Sequence, residues 1–104
     1  MQRPANAAGL ENLLGSVRLA LADYHGALAR HRKALELARS IDLRIEIARA
    51  LDGIGQALRG LGNLAGATRH WQEALDLYDE IGLPEAAATR EALASIECDG
   101  EETA

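Results

Sequence analysis

One stretch of the chain, residues 55–60, has the glycine spacing that opens a phosphate-binding loop. Such a loop surrounds phosphate oxygens with backbone N–H groups and needs a lysine and a hydroxyl residue directly after its last glycine. Leu61 and Gly62 stand at those two positions, and the surrounding pattern predicts a helix instead of a strand and a loop. We therefore expect no nucleotide site, and we interpret Gly55 and Gly60 as positions where helices pack closely.

The side chains that could bind a metal or act as nucleophiles are three histidines and one cysteine. His25, His31 and His70 lie outside the CxxC and HExxH spacings through which proteins commonly hold zinc. Cys98 has no histidine or basic residue near it in sequence that would activate its thiol. We interpret His31 as an amphipathic residue that fills a core position, with a pH-sensitive core contact as the alternative. These observations predict no enzyme, no metal site and no cofactor.

The composition is that of one small helical domain. Of the 104 residues, 48% are hydrophobic and 26% charged, and Phe is absent, so Leu, Ile and Ala must form the core. No apolar run approaches the roughly 18 residues that cross a bilayer, and the N-terminal residues lack the apolar stretch of a secretory signal. The single cysteine fits a reducing compartment. We expect a cytoplasmic location and no contact with a membrane.

Charge is divided unevenly along the chain. Residues 1–71 carry ten basic and six acidic residues, a net charge of +4, whereas residues 72–104 carry one basic and ten acidic residues, a net charge of −9. An ordinary solvated surface accounts for this division, and the alternative is a molecule whose two ends steer a partner or a second copy. The acidic balance and the scarcity of aromatic residues argue against direct contact with nucleic acid.

Apolar residues at steps of three and four positions predict five helices and no strands. The helices are expected at about residues 6–22, 23–40, 43–61, 63–81 and 84–97, with an acidic, frayed tail at 98–104. The first helix carries the apolar stripe Leu10, Leu13, Leu14, Val17 and Leu21. Asp23 and Asn63 are expected to cap the second and fourth helices, because short polar side chains accept the free N–H groups of a first turn. Gly82 suits the left-handed end of the fourth.

The chain also repeats itself at a spacing of 40 residues. Shifting the sequence by 40 aligns identical residues at many positions, among them Gly15 with Gly55, Ala27 with Ala67, Ala34 with Ala74 and Leu35 with Leu75. The matched residues are mostly small or aliphatic, and such residues decide how closely two helices approach. A unit of this size cannot bury its apolar face alone and must stack on copies of itself. The repeat therefore predicts a surface that binds partners, and it does not itself indicate a catalytic reaction.

The matched residues resemble the tetratricopeptide repeat (TPR) family. Its pattern has an aliphatic–small pair in helix A, then an alanine, an aromatic residue and a second alanine in helix B. The second repeat fills these positions with Ile54-Gly55, Ala67, Trp71 and Ala74. The first repeat fills them with Leu14-Gly15, Ala27, His31 and Ala34, so that His31 departs from the aromatic residue. The resemblance implies a buried Trp71 and tight packing at Gly55, where we expect alanine to be tolerated and leucine to destabilise.

The implied fold is an all-α superhelix of about two and a half repeats. Repeat one covers about residues 8–42, repeat two about 48–82, and a capping or half-repeat helix about 84–97. The 40-residue unit is longer than the family's usual 34, and residues 50–63 and 70–75 are similar to the C-terminal repeats of actinobacterial transcriptional regulators of the SARP and NB-ARC types. We expect a non-enzymatic protein–protein interaction module from such a regulator or a relative of it. The alternatives are a peptide or small-molecule sensor controlling an attached effector, and a structural self-assembly unit.

The family's working surface is the concave groove lined by the A helices. The residues that this resemblance places in the groove are Asn12, Ser16, Leu19, Arg49, Asp52, Gln56, Arg59 and Thr89. The charged ones fit ordinary solvated helix charges, and the functional alternative is that Arg49 and Arg59 hold a protein or peptide partner with an acidic segment. Asn12 and Ser16 stand where the carboxylate clamp of the family's chaperone cofactors would need Lys and Asn, which argues against that function.

The open ends of so short a stack predict weak self-association as a homodimer. The fifth helix presents a face of small residues that would receive a partner helix: Ala87, Glu91, Ala94 and Ser95. The competing interpretation is that this helix is itself the cap and that the chain is a monomer.

Overall fold

Five helices form the chain in the computed structural model, which describes residues 4–102 and, within them, the side chains of residues 7–97. They are α1 (Pro4–Ala20), α2 (Tyr24–Ser40), α3 (Arg44–Gly60), α4 (Leu64–Ile81) and α5 (Glu85–Glu102). Each helix packs on the next in sequence, and α1 also contacts α3. Short turns join them, so that neighbouring helices run antiparallel. No strand occurs in the described range, which confirms the all-α prediction.

The turns between the helices recur at half the 40-residue period. Each contains one residue in the left-handed backbone region: Ala22 (φ 58°), Asp42 (φ 52°), Gly62 (φ 85°) and Gly82 (φ 83°). These residues are 20 positions apart, so one helix with its turn is a half-unit of 20 residues. The 40-residue repeat is therefore one antiparallel helix pair.

The predicted caps are confirmed. The Asp23 carboxylate accepts the backbone N–H of Gly26 at 3.0 Å, and the Asn63 side-chain oxygen accepts that of Gly66 at 2.9 Å. Each bond satisfies one of the N–H groups that a helix start leaves without a partner. Gly82 ends α4 in the left-handed conformation, with its N–H bonded to the last turn of α4 at 2.8 Å. The same side-chain cap begins α2 and α4, the B helices of the two repeats, so both turn away from their A helices in the same way.

The largest buried side chains of the core lie between α3 and α4. Trp71 is 2% exposed and Tyr78 1% exposed, which confirms the predicted burial of Trp71. The Trp71 ring lies against Gly55 so closely that a Cβ added at residue 55 would be 2.6 Å from it. His31 lies in the same way between α1 and α3, against Gly15 and Gly53. Glycine on the A helices therefore makes room for the rings of the B helices.

The apolar stripe predicted for α1 faces solvent over most of its length and is not a core face. Four of its residues are exposed: Leu10 by 40%, Leu13 by 62%, Val17 by 50% and Leu21 by 68%. The buried residues of α1 are smaller: Ala8, Asn12 and Gly15. The ring of His31 fills the space beside Gly15, so a larger residue on that side of α1 would not fit. Periodicity identifies an apolar face but not whether another helix covers it.

The last helix is longer than predicted. α5 continues to Glu102, whereas the sequence suggests an end near Glu97 and a frayed tail. No proline interrupts this segment, and a single glycine, Gly100, costs a helix only about 1 kcal/mol. The end of the tail, Thr103 and Ala104, lies outside the described residues.

Candidate functional site

Two adjoining cavities open on the face of the stack formed by α1, α3 and α5. The first, of about 330 Å³, lies between α1 and α3, and the second, of about 350 Å³, lies between α3 and α5. Asp52 and Gln56 line both cavities, so that the two meet over the middle of α3. We call them the α1–α3 cavity and the α3–α5 cavity, and together the groove. Each is at the lower end of the roughly 300–1,000 Å³ found for ligand pockets.

Seven of the eight residues predicted for the groove line these cavities. The α1–α3 cavity contains Asn12, Ser16 and Arg49, the α3–α5 cavity contains Arg59 and Thr89, and both contain Asp52 and Gln56. The exception is Leu19, which is partly buried and packs against the hydrophobic core. The cavities also include residues that the sequence did not suggest, above all His31, Glu46, Trp71, Tyr78 and Glu85. Most of these lie on other helices and reach the groove only through the fold.

A side-chain hydrogen bond between helix A and helix B recurs in both repeats. In the first, His31 Nδ1 lies 2.9 Å from Asn12 Oδ1, and in the second, Trp71 Nε1 donates to Asp52 Oδ1 at 3.0 Å. A shift of 40 residues places Asn12 on Asp52 and His31 on Trp71. The alignment of the two repeats therefore contained the signal for this pairing, which was not among the predictions. The departure of His31 from the aromatic pattern thus preserves a ring N–H donor.

The protonation of His31 follows from its neighbours. Asn12 Nδ2 donates to the backbone oxygen and the carboxylate of Glu46, both at 3.1 Å, so Asn12 Oδ1 must be the atom that faces His31. The proton of the neutral imidazole is therefore on Nδ1, and Nε2 is an acceptor. Nε2 is buried and has no hydrogen-bond partner among the described residues. Burial lowers the pKa of His31 below its usual 6.5, and the nearby Asp52 opposes this shift.

The lowered pKa of His31 predicts that the protein loses stability as the pH falls. Between pH 6.5 and the lower pKa of the folded state, the unfolded chain binds a proton at His31 that the folded chain does not bind. The free energy of unfolding therefore decreases as the pH falls through this interval. Urea denaturation at pH 7.5 and at pH 5.5 measures this loss of stability, and both pH values lie above the range in which most carboxylates titrate. His31→Phe should reduce the difference between the two pH values, and an unchanged difference would assign it to other groups.

Asp52 is the centre of the groove. Its Oδ1 accepts hydrogen bonds from Trp71 Nε1 at 3.0 Å and from Gln56 Nε2 at 3.1 Å, and its Oδ2 accepts one from the Tyr78 hydroxyl at 2.9 Å. Burial and the negative charge of Asp52 raise the pKa of Tyr78 well above its usual value, so the hydroxyl stays protonated and remains a donor. Asp52 therefore joins α3 to the two large aromatic residues of α4.

Both arginines of the groove are already engaged. Arg49 lies between two carboxylates, with its Nε 3.2 Å from Glu85 and its Nη1 3.7 Å from Glu46. Arg59 donates to the Ser95 hydroxyl at 3.0 Å, and its guanidinium carbon lies 5.9 Å from the centroid of the Trp71 ring. Such partners hold the two side chains in place. A ligand that recruits either arginine must share it with these groups.

Two features are absent from the described residues. These residues contain no group of three or more His, Cys, Asp or Glu side chains arranged to hold a metal ion. Among the described helices, none combines the length and apolar character that a membrane span requires.

Comparison with known proteins places these features in a family. The family model for the tetratricopeptide repeat matches residues 6–80, which include both copies of the ring–glycine packing. The chain belongs to the tetratricopeptide repeat family. This TPR chain is 35% identical over 68 residues, 65% of its length, to the outer dynein arm-docking complex subunit 4 of Homo sapiens and of Bos taurus. The Mus musculus protein has the same identity and coverage.

The TPR chain spans about a tenth of the length of these relatives: 10% of the Homo sapiens and Bos taurus proteins and 11% of the Mus musculus protein. No solved structure matches. The relatives found are eukaryotic, so the comparisons support the TPR assignment and leave the similarity to actinobacterial regulators as a prediction.

Proposed function

We propose that this TPR chain is a non-enzymatic protein–protein interaction module that binds a segment of a partner protein in the groove. The observation that carries the proposal is the convergence of seven groove residues from α1, α3 and α5 on two adjoining cavities. The name of the relatives, subunits of a docking complex, supports a role in assembly. A sensor domain would use the same cavities and differ in what binding does to an attached effector.

The acidic partner expected from Arg49 and Arg59 would meet arginines that already have partners. In the α1–α3 cavity, Arg49 is matched by Glu46 and Glu85. Among the described residues of the α3–α5 cavity, Arg59 and Asp52 carry charge, and Arg59 already donates to Ser95 and lies over the Trp71 ring. An acidic segment stays a proposal from the sequence, and in either cavity it would share the arginine with the groups that already hold it.

Two finer parts of the functional prediction rest on the sequence. Membership of a bacterial regulatory protein is proposed from the 40-residue unit and the resemblance of residues 50–63 and 70–75 to regulator repeats. A cytoplasmic location is proposed from the single cysteine, which fits a reducing compartment.

A peptide library displayed on phage tests binding in the groove. Peptides that are enriched on the wild-type chain should bind Gln56→Tyr at least tenfold more weakly, because the added ring would cover the junction of the two cavities. Gln72→Tyr is the matched control, since Gln72 is an exposed residue of α4 that also donates to an aspartate four positions away. Equal affinities of the two variants, measured by calorimetry, would place binding outside the groove.

Self-association is a second proposal, and the exposed stripe of α1 favours a second copy of the chain as its occupant. The stripe is wholly aliphatic, and the spacing of its four exposed residues is nearly the same when read in either direction: Leu10, Leu13, Val17 and Leu21. In an antiparallel pair of α1 helices, Leu10 would meet Leu21 of the second copy, and Leu13 would meet Val17. The stripe exposes on the order of 400 Å² in each copy, a size typical of functional patches. Two such patches stay below the roughly 1,200 Å² of stable interfaces, so the dimer should be weak.

Leu13→Glu should abolish this association because it places a charge in the middle of the stripe. Sedimentation equilibrium over a hundredfold concentration range should show the wild type rising above its monomer mass of 11.1 kDa and the variant remaining there. Leu64→Glu, on an exposed leucine at the start of α4, is the control. A wild type that stays at 11.1 kDa throughout is a monomer, and the stripe then has a different occupant.

A further inference from the structure

The α1–α3 cavity is negatively charged. Among the described residues, its lining contains three carboxylates, Glu46, Asp52 and Glu85, and one cation, Arg49. Because Arg49 lies within 4 Å of both Glu46 and Glu85, its charge is compensated locally and leaves a net charge of −2 on the lining. An anion that entered this cavity would meet two uncompensated negative charges, whereas a cation would be attracted.

Among the described residues, Asp52 has no cationic partner within 4 Å. Its three hydrogen bonds come from neutral donors on Trp71, Tyr78 and Gln56, and it forms no ion pair with any described residue. A carboxylate offers about four lone-pair positions. Oδ1 receives two donors and Oδ2 receives one, so Oδ2 retains a position for one more. The position belongs to a residue that lines both cavities.

A second unfilled acceptor belongs to a side chain that lines the same cavity. His31, which is 2% exposed, forms part of the lining, and its Nε2 has no donor among the described residues. A buried acceptor without a donor is unfavourable, because it has given up its hydrogen bonds to water without replacing them. These unfilled acceptors and the net negative charge of the lining favour a ligand that carries N–H donors and a positive charge.

We propose that the α1–α3 cavity receives a lysine or arginine side chain of the bound partner segment, with Asp52 as the carboxylate that pairs with it. This inference rests on the proposed function and specifies its partner: a segment with a basic residue at the position that enters between α1 and α3. A volume of about 330 Å³ accommodates one such side chain but not a folded element. The hydrogen bonds from Trp71, Tyr78 and Gln56 hold the carboxylate in place before the ligand arrives.

The test uses amino-acid probes and the indole N–H resonance of Trp71, the only tryptophan of the chain and a direct donor to Asp52. N-acetyl-lysine methylamide and N-acetyl-arginine methylamide are titrated into the full chain at low salt and followed by two-dimensional NMR. At least one of them should shift this resonance saturably. The neutral N-acetyl-norleucine methylamide and the acidic N-acetyl-glutamate methylamide should bind at least tenfold more weakly.

Asp52→Asn should weaken the cationic probe at least fivefold. The matched control is Asp76→Asn, because Asp76 is exposed on α4 and likewise accepts an amide hydrogen bond from a glutamine four residues away; its affinity should stay within twofold of the wild type. Should Asp52→Asn not fold, Glu85→Gln changes the net charge of the lining from −2 to −1 and should weaken the probe at least twofold; its melting temperature is measured as well, because the substitution also removes the ion pair with Arg49. Equal affinities for lysine and norleucine probes, or equal effects of the two aspartate variants, would overturn the inference.

The library peptides separate this inference from the proposed function. Peptides that bind in the groove and keep their affinity when every Lys and Arg is replaced by Gln would overturn the cation site and leave the interaction module in place. Saturable binding of the cationic probes without any enriched peptide would overturn the interaction module and support the cation site. Groove-binding peptides that lose at least tenfold on replacement of one basic residue support both.

Discussion

Trp71→Ala is expected to lower the free energy of unfolding by about 3–5 kcal/mol, one of the two largest effects in this chain. The ring is 2% exposed and fills the space beside Gly55. Its Nε1 donates to Asp52 at two atoms, the carboxylate at 3.0 Å and the backbone oxygen at 3.2 Å. The substitution therefore creates a cavity between α3 and α4 and also removes a donor from a partly buried carboxylate.

Urea denaturation followed by circular dichroism measures this loss, because the substitution removes the only tryptophan and with it the intrinsic fluorescence probe. Trp71→Phe reports mainly on the second contribution, since it keeps a six-membered ring between α3 and α4 and loses the N–H donor together with part of the indole volume. Its expected cost is about 1–3 kcal/mol. A loss below about 1 kcal/mol for Trp71→Ala would mean that this ring does not hold α3 against α4.

The helices and their ends were largely predictable because local chemistry determines them. Asp23 and Asn63 are short polar residues in front of apolar periodic segments, and both cap the next helix as expected. Gly82 is followed by Leu83 and Pro84, and it adopts the left-handed conformation. Such signals depend on a few neighbouring residues and need no knowledge of the fold. The 40-residue spacing then indicates which helices form a pair.

The features that the sequence did not predict are contacts that no local pattern contains. The stripe of Leu10, Leu13 and Val17 is apolar whether or not a helix covers it, and the period alone cannot decide between the two. The hydrogen bond between Asn12 and His31 joins residues 19 positions apart. It recurs in the second repeat, so a comparison of polar positions between the repeats would have identified it.

The candidate site was predictable in position but not in charge balance. Family resemblance identified seven residues that meet in the groove, because the A helices of stacked pairs share one face. The sequence could not show that Arg49 is held by Glu85, which lies 36 residues away on α5. That ion pair and the position of Asp52 reverse the expected chemistry of the α1–α3 cavity, from a site for an acidic group to one for a basic group.

Gly55→Ala is expected to destabilise the protein by about 1–3 kcal/mol, although alanine favours a helix over glycine by about 1 kcal/mol. The sequence alone suggested that alanine would be tolerated at this position, and the structure corrects that expectation. A Cβ at residue 55 would lie 2.6 Å from the Trp71 ring. The ring is buried on all sides and fixed by its hydrogen bonds to Asp52, so it cannot move aside without breaking them.

Gly9→Ala is the matched control, because a Cβ at this helical glycine of α1 would meet Glu46 Oε2 at 3.5 Å, an ordinary contact. The same substitution should therefore stabilise the protein by up to about 1 kcal/mol at residue 9 and destabilise it at residue 55. A double-mutant cycle with Trp71→Ala assigns the difference to the ring, since Gly55→Ala should cost much less once the ring is absent. Equal costs of Gly55→Ala with and without Trp71 would show that the clash is not with this ring.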